Sequence, residues 1–351
     1  MVAVRNKIQS TAVTIQDVAA AAGVSTASVS RALSGSRPVR PETLHKVLEA
    51  TRRLNYQVNP VASALRGKIT KTVGMVVPDI TNPFFPAVVK SVEDVLHDLG
   101  MSLFLCDSSE SPVVEAERIA ALLNRGVDGI IVSPVDNLAS RAAIAAAAKR
   151  VPLVQIDRHV NVDSDIVTVD HGAGIALAID HLISIGADSF AFVTTAKQSS
   201  IANERLAAYM RKLRPLDRMS AHRVLRGDLT VEWGRTAALK LIDESCPRAI
   251  VCANDLIALG VLQALRSQGL KVPQDVAVTG FDDGLLAQVA NPPLTSVHQP
   301  LEALGREAVR MLTSAIEDRS LPPRKLRLAP SLSIRESTVP TASETAGLSS
   351  N

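Results

Sequence analysis

Short apolar runs alternate with amphipathic segments from Lys71 almost to the end of the chain, and this alternation restricts the fold more than any other feature of the sequence. Runs rich in Val, Ile and Leu are typical of strands that are buried on both faces, and the segments between them have the length and period of helices. The alternation therefore predicts parallel sheets covered by helices on both sides. The runs are TVGMVV, MSLFLC, GIIVSP, PLVQID, IVTVD, SFAFVTT, HRVLRGD, AIVCAND and VAVTGFD.

These runs are too many for one sheet of modest size, so the sequence predicts two similar α/β subdomains with a break near Asp170. Two later segments, TSVHQP and RKLRLAPSLSIRES, have the pattern of strands that return to complete the sheets. The predicted subdomains combine residues 71–169 with 299–329, and residues 170–296 with 330–337. Residues 338–351 are small and polar, which predicts a disordered tail.

A different pattern occupies residues 14–33, where two short helices are predicted with a turn between them. Thr14 followed by Asp17 is typical of a helix N-terminus, Gly23 tolerates the positive φ of a helix end, and Ser25 caps the second helix. The outward face of the second helix consists of Thr26, Ala27, Ser28, Ser30 and Arg31. Small side chains before an arginine suit the major groove of DNA. The alternative is an amphipathic hairpin within some other helical domain.

The predicted DNA-binding domain, residues 14–57, also includes a third helix that Pro41 begins. Its predicted apolar face, which closes a three-helix core, consists of Leu44, Val47, Leu48 and Leu54.

The charge of the chain is unevenly distributed: residues 1–68 contain ten Lys or Arg against three Asp or Glu, and the remaining residues contain 28 against 32. The basic residues 1–68, followed by a mildly acidic remainder, favour a polyanionic partner for the N-terminal part of the chain. Residues 1–13 are predicted to be a flexible arm.

The sequences TIQDVA and AGVSTASVSRAL resemble the signature of the LacI/GalR family of bacterial transcription regulators, and the resemblance continues to about residue 337. It implies a homodimer that binds a palindromic double-stranded operator. It further implies that Thr26 and Ala27 face base edges and that Arg31 contacts a base or a phosphate. Ala27 departs from the family, in which a longer or hydroxylated residue is common at this position, so the operator sequence stays open.

The segment NPVASALR, residues 59–66, is predicted to be a short helix because Asn59 can cap it and Pro60 is favoured at its first position. Eight residues are too few for a stable isolated helix. The family resemblance implies that residues 58–70 form a hinge helix and linker, which pairs with its twin and enters the minor groove. Asn59, Ala62 and Leu65 would then contact DNA, with Leu65 as the wedge between base pairs. The alternative is an inert linker.

In open α/β sheets, ligands bind beyond the carboxyl ends of the strands, so the residues that follow each predicted strand are candidates for a ligand site. They include carboxylates, arginines and amides that can bind vicinal hydroxyls, and aromatic rings that can stack on a sugar. Gly172 and Gly174 are too little for a phosphate-binding loop. The candidates are Asp79, Asn82, Phe84, Phe85, Asp157, Arg158, Arg205, Asn254, Asp255, Asp282, Asp283, His298 and Gln299. The set favours a monosaccharide, although Asp255 and Asp283 are also typical helix N-caps and His298 also fits a core or hinge position.

The motifs NPFF, DR, ND and GFD resemble those of periplasmic ribose-binding proteins. This resemblance implies hydroxyl contacts from Asn82, Asp157, Arg158, Arg205, Asn254, Asp282 and Gln299, and stacking by Phe84 and Phe85. Leu229 stands where a third aromatic residue is usual, so the sugar stays open. We therefore expect a repressor that a ribose-like sugar releases from its operator. One alternative is a regulator that a purine or nucleoside activates as its co-repressor. The other is a sugar-binding protein without a DNA function.

Other classes of protein are disfavoured by the sequence. The pairs Asp170–His171 and Asp180–His181 have no nucleophile with its own base beside them, which argues against an enzyme. Cys106, Cys246 and Cys252 have no metal-binding spacing, and we expect neither a metal nor a cofactor. There is no secretory h-region and no apolar run of about 20 residues, so we expect a cytoplasmic protein at the bacterial nucleoid.

Overall fold

The computed structural model describes residues 13–34, 38–56, 70–214 and 222–339. Contacts divide the chain between Thr70 and Lys71 into two units. Most of the predicted arm, the predicted hinge helix with Asn59, Ala62 and Leu65, and the tail beyond Val339 lie outside the described residues. Within the described ranges, no helix combines the length and the apolar character that crossing a membrane requires.

The N-terminal unit contains helices α1 (Ile15–Ala22), α2 (Thr26–Ser34) and α3 (Pro41–Arg53). The predicted boundaries are confirmed: Thr14 and Asp17 form a reciprocal capping box, Gly23 ends α1 with a φ of 65°, and the Ser25 hydroxyl accepts a hydrogen bond from the Ser28 amide at 3.1 Å. The buried core consists of Val18, Ala19, Ala22, Val29, Val47 and Ala50.

The predicted apolar face of α3 is wrong in two positions. Leu44 and Leu48 are 37% and 39% exposed, whereas Val47 is fully buried. The buried stripe continues from Val47 to Ala50 and Leu54, at helical spacing. Leu44 and Leu48 therefore flank the stripe rather than fill the core.

The C-terminal unit contains two six-stranded sheets. The first has the order β11-β5-β4-β3-β1-β2, and the second has the order β12-β10-β9-β8-β6-β7. Their strands are β1 (Thr72–Val77), β2 (Ser102–Asp107), β3 (Gly129–Val132), β4 (Leu153–Ile156), β5 (Asp165–Val169), β6 (Phe190–Thr195), β7 (His222–Gly227), β8 (Ala249–Cys252), β9 (Ala277–Asp282), β10 (Thr295–His298), β11 (Lys325–Leu328) and β12 (Ser331–Ser333). Among the strands of the described residues, all pairings are parallel except that of β12 with β10. The predicted α/β fold with two subdomains is confirmed.

Helices connect the strands in both subdomains. They are α4 (Phe84–Asp98), α5 (Pro112–Arg125), α6 (Arg141–Ala148), α7 (His171–Ser184), α8 (Ser200–Leu213), α9 (Val231–Ser245), α10 (Asp255–Ser267), α11 (Leu285–Val289) and α12 (Leu301–Glu317). The chain crosses between the subdomains after β5, after β10 and after β11. These crossings lie side by side, because the Asp170 amide donates to the Leu328 carbonyl at 2.9 Å and His298 is paired with Ser331.

The end of the second subdomain extends beyond the predicted start of the tail at residue 338. Thr338 is only 2% exposed, and its hydroxyl lies 2.7 Å from the hydroxyl of Thr295. The neighbouring Ser337 hydroxyl donates to the Val278 carbonyl at 2.7 Å. Small polar residues look like a tail in the sequence, but here they are buried because hydrogen bonds satisfy them.

Candidate functional site

Residues that follow the carboxyl ends of strands in both sheets line one cavity between the two subdomains. The cavity brings together all ten side chains that the sequence predicts to contact an effector, with Ile201 as a further member. The ten are Asn82, Phe84, Phe85, Asp157, Arg158, Arg205, Leu229, Asn254, Asp282 and Gln299. The volume enclosed at their centre is about 20 Å³, which is room for one or two water molecules. The side chains therefore converge on a small polar centre.

The guanidinium of Arg158 is buried and is matched by a carboxylate. Its two terminal nitrogens lie 3.4 Å from the two carboxylate oxygens of Glu110. Glu110 also lies 3.5 Å from the ammonium nitrogen of Lys197, which belongs to the second subdomain. The carboxylate of Glu110 thus joins the two subdomains at one rim of the cleft.

The guanidinium of Arg205, on α8, is the second buried cation of the cleft. It lies 3.9 Å from Asp282 Oδ1, donates to the Ala253 carbonyl and packs on the Phe281 ring, 3.7 Å from the centroid. Its Nε lies 3.3 Å from His171 Nδ1. Because a guanidinium only donates, Nδ1 accepts and Nε2 of His171 carries the proton. That Nε2 faces Asp157 Oδ1 at 3.6 Å.

Burial shifts the protonation of the groups around this centre. It raises the pKa of Asp157 to about 6, against the lowering effect of Arg158 and Arg205. Burial also raises the pKa of Asp282 well above its ordinary value, although Arg205 opposes the shift. The pKa of His171 is lowered well below its ordinary value by burial and then by Arg205, so His171 is neutral at pH 7.

Several buried polar atoms at the centre of the cleft have no hydrogen-bond partner among the described residues. They are Asp157 Oδ1 and Oδ2, Arg158 Nε, Asn254 Nδ2 and Gln299 Oε1. A buried polar group without a partner costs roughly 1–3 kcal/mol. The set contains both donors and acceptors, all carried by residues that line one cavity. The centre of the cleft therefore holds unused donors and unused acceptors side by side.

Backbone strain is concentrated at the same place. Asp157 and Asp282 have positive φ values of 63° and 111°, and the neighbouring Asp283 has a φ of 55°. Conformations of this kind cost roughly 1–3 kcal/mol in residues other than glycine, and they persist where the surroundings enforce them. Of these three residues, Asp157 and Asp282 line the cavity.

The face of α2 differs from the cleft because it is exposed. Thr26, Ala27 and Arg31 are exposed, and Ser28 and Ser30 are half-buried. The Arg31 Nε donates to the Ala27 carbonyl at 3.2 Å. The Ser28 hydroxyl lies 2.9 Å from that of Ser25, so it takes part in the cap of α2. The face is small and polar, as the sequence predicts.

Comparisons with known proteins match both units. Residues 14–59 match the family described as bacterial regulatory proteins, lacI family, and residues 179–338 match a periplasmic binding protein-like domain. The HTH-type transcriptional regulator DegA of Bacillus subtilis (strain 168) is 33% identical over 336 residues, which cover 93% of this chain and 98% of DegA. The chain belongs to the lacI family.

Two further comparisons support this lacI-family membership. The HTH-type transcriptional repressor PurR of Histophilus somni (strain 129Pt) is 31% identical over 92% of this chain and 98% of PurR. A structure of the Lac repressor dimer bound to operator and the anti-inducer ONPF is 28% identical, with a TM-score of 0.82 over 93% of this chain and 99% of that one. The predicted family is therefore confirmed.

Four of the candidate residues that follow strands in this lacI-family chain do not line the central cavity: Asp79, Asp255, Asp283 and His298. Asn254, not Asp255, is the N-cap of α10, and Asp255 accepts a hydrogen bond from Ser296 at 2.6 Å. Asp283 is bound to Arg335 at 2.6 Å and to His298 at 3.0 Å. These groups stabilise the second subdomain beside the cleft. Asp79 accepts from the Thr81 amide in an exposed turn.

Sequence reasoning missed Glu110, His171 and Ile201 as residues of the site. Ile201 is four residues before Arg205 on α8, so helical spacing could have found it. Glu110 is distant in sequence from Arg158 and has no local signal. His171 appeared only as half of an Asp–His pair, yet it is a fully buried support for Arg205.

Proposed function

We propose that this chain is a transcriptional repressor, a homodimer on a palindromic operator, which a small neutral sugar of ribose-like size releases from DNA. The buried polar atoms without partners in the cleft carry the effector proposal. A hydroxyl group both donates and accepts. Vicinal hydroxyls of one sugar ring can therefore satisfy the acceptors of Asp157 and Gln299 and the donors of Arg158 and Asn254.

The charge balance of the cleft supports a neutral effector. Arg158 is matched by Glu110, and Arg205 is matched by Asp282. A phosphate ester would bring a charge of about −2 to guanidinium groups that already have carboxylate partners, and these carboxylates would repel it. Free sugars and their uncharged derivatives avoid this repulsion, so they fit better than sugar phosphates or nucleotides.

A purine or nucleoside that raises operator affinity is the second candidate, and the similarity to a repressor named PurR favours it. The aromatic geometry favours the sugar instead. The rings of Phe84 and Phe85 meet at 79°, and the Arg158 guanidinium lies 5.5 Å from the Phe85 centroid. They do not form two parallel walls for a flat base. The face of α2 formed by Thr26, Ala27, Ser28, Ser30 and Arg31, which we call the DNA-reading face, disfavours a sugar-binding protein without a DNA function.

In this proposal Thr26 and Ala27 lie against base edges, Arg31 binds a base or phosphate, and Ser28 and Ser30 contact the backbone of the duplex. Asn59, Ala62 and Leu65 of the linker enter the minor groove. The small volume of the cleft means that a sugar moves its two walls, which is how binding reaches the rest of the dimer. The coupling is reciprocal, so DNA weakens sugar binding by the same factor. The protein would work in the bacterial cytoplasm, at the nucleoid, without catalysis.

The experiment selects operators from random duplexes with the full-length protein and then measures their binding by fluorescence anisotropy. Pentoses, hexoses, purine bases and nucleosides are added to the complex in turn. We expect a monosaccharide to lower operator affinity, with a coupling of about 5–150-fold. A purine that raises affinity would establish the co-repressor instead. A protein that selects no duplex, or that responds to none of these ligands, would overturn the proposal.

A further inference from the structure

The carboxylate of Glu110 lies between two cations that belong to different subdomains. Its two oxygens lie 3.4 Å from the two terminal nitrogens of Arg158, and Oε2 lies 3.5 Å from Nζ of Lys197. Within the described residues, neither cation has another carboxylate at ion-pair distance. Because a guanidinium and an ammonium that face one point form a receptor for an anion, Glu110 occupies the position that an anionic ligand group would take.

Glu110 leaves only one donor of Arg158 for a ligand in the polar centre. The terminal nitrogens of Arg158 face Glu110, whereas its Nε is buried and has no hydrogen-bond partner among the described residues. Arg158 lines the polar centre, and Glu110 and Lys197 do not. Two parallel N–H groups bind a carboxylate or phosphate as a pair, whereas one N–H suits a single oxygen such as that of a hydroxyl group.

The turn that carries Glu110 is held by contacts other than those of its carboxylate. Ser109 and Glu110 have positive φ values of 50° and 53°, which residues other than glycine keep only where the surroundings enforce them. The Asp107 Oδ1 accepts from the Ser109 amide at 3.2 Å and from the Ile80 amide at 3.3 Å. The Glu110 amide donates to the Pro78 carbonyl at 2.6 Å. Replacement of the Glu110 side chain should therefore leave the turn in place.

We propose that Glu110 determines the specificity of the cleft, because its carboxylate fills the anion position between Arg158 and Lys197 and so excludes acidic sugars. This inference rests on the proposed sugar response. A ligand carboxylate that approached Arg158 would meet the negative charge of Glu110. A neutral sugar needs no anion position, since one hydroxyl oxygen can accept from Arg158 Nε. Removal of the Glu110 charge should therefore admit uronates, the sugars that carry a carboxylate.

The first test is isothermal titration calorimetry of the full-length protein with glucose, glucuronate, galactose and galacturonate. In the original protein, the acid of each pair should bind more weakly than the neutral sugar. Glu110→Gln keeps the size of the side chain and removes its charge. The ratio of the two affinities should then shift toward the acid by about tenfold in at least one pair, because unit charges a few ångströms apart interact strongly in a partly buried site.

Two further variants separate the charge of Glu110 from its effect on the structure. Glu110→Asp retains a carboxylate and should keep the preference for the neutral sugar. Glu117→Gln removes the same charge from an exposed position of α5 and should also keep it. An unchanged preference in Glu110→Gln, or an equal shift in Glu117→Gln, would overturn the proposal.

An anion that is not a sugar tests the position between Arg158 and Lys197 independently of the sugar response. Glu110→Ala empties this position, and acetate should fill it. At constant ionic strength, acetate should raise the melting temperature of Glu110→Ala more than that of Glu117→Ala, and neutral acetamide should raise neither. An equal response of the two variants to acetate would overturn the anion position. If acetate acts as expected but no sugar or uronate binds any variant, the anion position stands and the proposed sugar response is wrong.

Discussion

Two of the three arginines that the sequence predicts in functional sites, Arg31 and Arg205, have opposite surroundings. Arg31, on α2, is exposed and belongs to a face of small polar residues. Arg205, on α8, is only 5% exposed and is surrounded by Asp282, His171, the Ala253 carbonyl and Phe281. Contacts of an exposed charged group contribute little to stability, whereas a buried guanidinium holds its neighbours in place. Substitutions on the exposed face of α2 should therefore change the stability of the protein little, whereas substitutions in the cleft should lower it.

Ionic strength gives the largest expected difference between the two sites. Operator affinity should fall about 10³- to 10⁵-fold between ~50 and ~200 mM salt, as ~6–10 phosphate contacts would give. Effector affinity, measured without DNA, should change little, because the cations of the cleft have carboxylate partners. Anisotropy and calorimetry at four salt concentrations measure the two slopes. An equal dependence of operator affinity and effector affinity on salt would contradict the different use of charge in the two sites.

Arg205→Ala should destabilise the C-terminal unit by about 3–5 kcal/mol, because it leaves the buried carboxylate of Asp282 without its cation. Urea unfolding followed by tryptophan fluorescence reports this unit, which contains the single tryptophan, Trp233. Arg266→Ala, an exposed arginine at the end of α10, is the control and should change stability by less than ~0.5 kcal/mol. A similar small loss for both variants would show that the Arg205 cluster is not needed for folding.

The pH dependence of stability should reveal Asp157. Its folded pKa is raised to about 6, whereas the unfolded value is about 3.9. Between these values the folded protein keeps a proton that the unfolded chain has lost, so the contribution of Asp157 lowers the free energy of unfolding as pH rises from ~4 to ~6 and is constant above that range.

Asp157→Asn removes that contribution. Relative to the original protein, the variant should therefore gain on the order of 2–3 kcal/mol between pH ~4 and ~7. Asp255 and Asp282 also have raised pKa values, but they are present in both proteins and cancel in the comparison. Asp79→Asn, in an exposed turn, is the control. Parallel pH profiles for Asp157→Asn and the original protein would refute the raised pKa.

Arg31→Ala has the smallest expected effect and is the sharpest probe of the DNA-reading face. It should cost about 1–3 kcal/mol of discrimination between operator and unrelated duplex. Thermal stability and effector affinity should stay as they are, because Arg31 is exposed and lies in the other unit. Competition between labelled operator and random duplex measures the discrimination. An equal loss on both duplexes would reduce Arg31 to a phosphate contact.

The cleft could be predicted from the sequence because parallel strands bring their carboxyl ends to one edge of a sheet. Asn82 and Gln299 are far apart in sequence, yet both follow strands and both line the cavity. The partner of Arg158 could not be predicted in this way. Glu110 reaches it from a turn in which Ser109 and Glu110 have φ values of 50° and 53°. Non-glycine residues rarely adopt this conformation, so the sequence does not predict the turn.

The exposure of Leu44 and Leu48 on α3 could not be predicted from their apolar character either. Which of the apolar side chains of a helix fill the core depends on the position of its neighbours, and here the core takes Val47 and Ala50.

Three crossings run side by side between the two sheets, near Asp170, near Gln299 and between Leu328 and Ser331. A single crossing of the chain would let the two subdomains twist, slide and bend with similar ease. Three adjacent crossings resist torsion and shear and leave bending as the easiest motion. In the proposed response to an effector, ligand binding would then produce one rotation between the two subdomains. Cleavage of a single crossing by a protease would keep both subdomains folded but restore torsional freedom, so the proposed coupling to DNA would be lost before the fold.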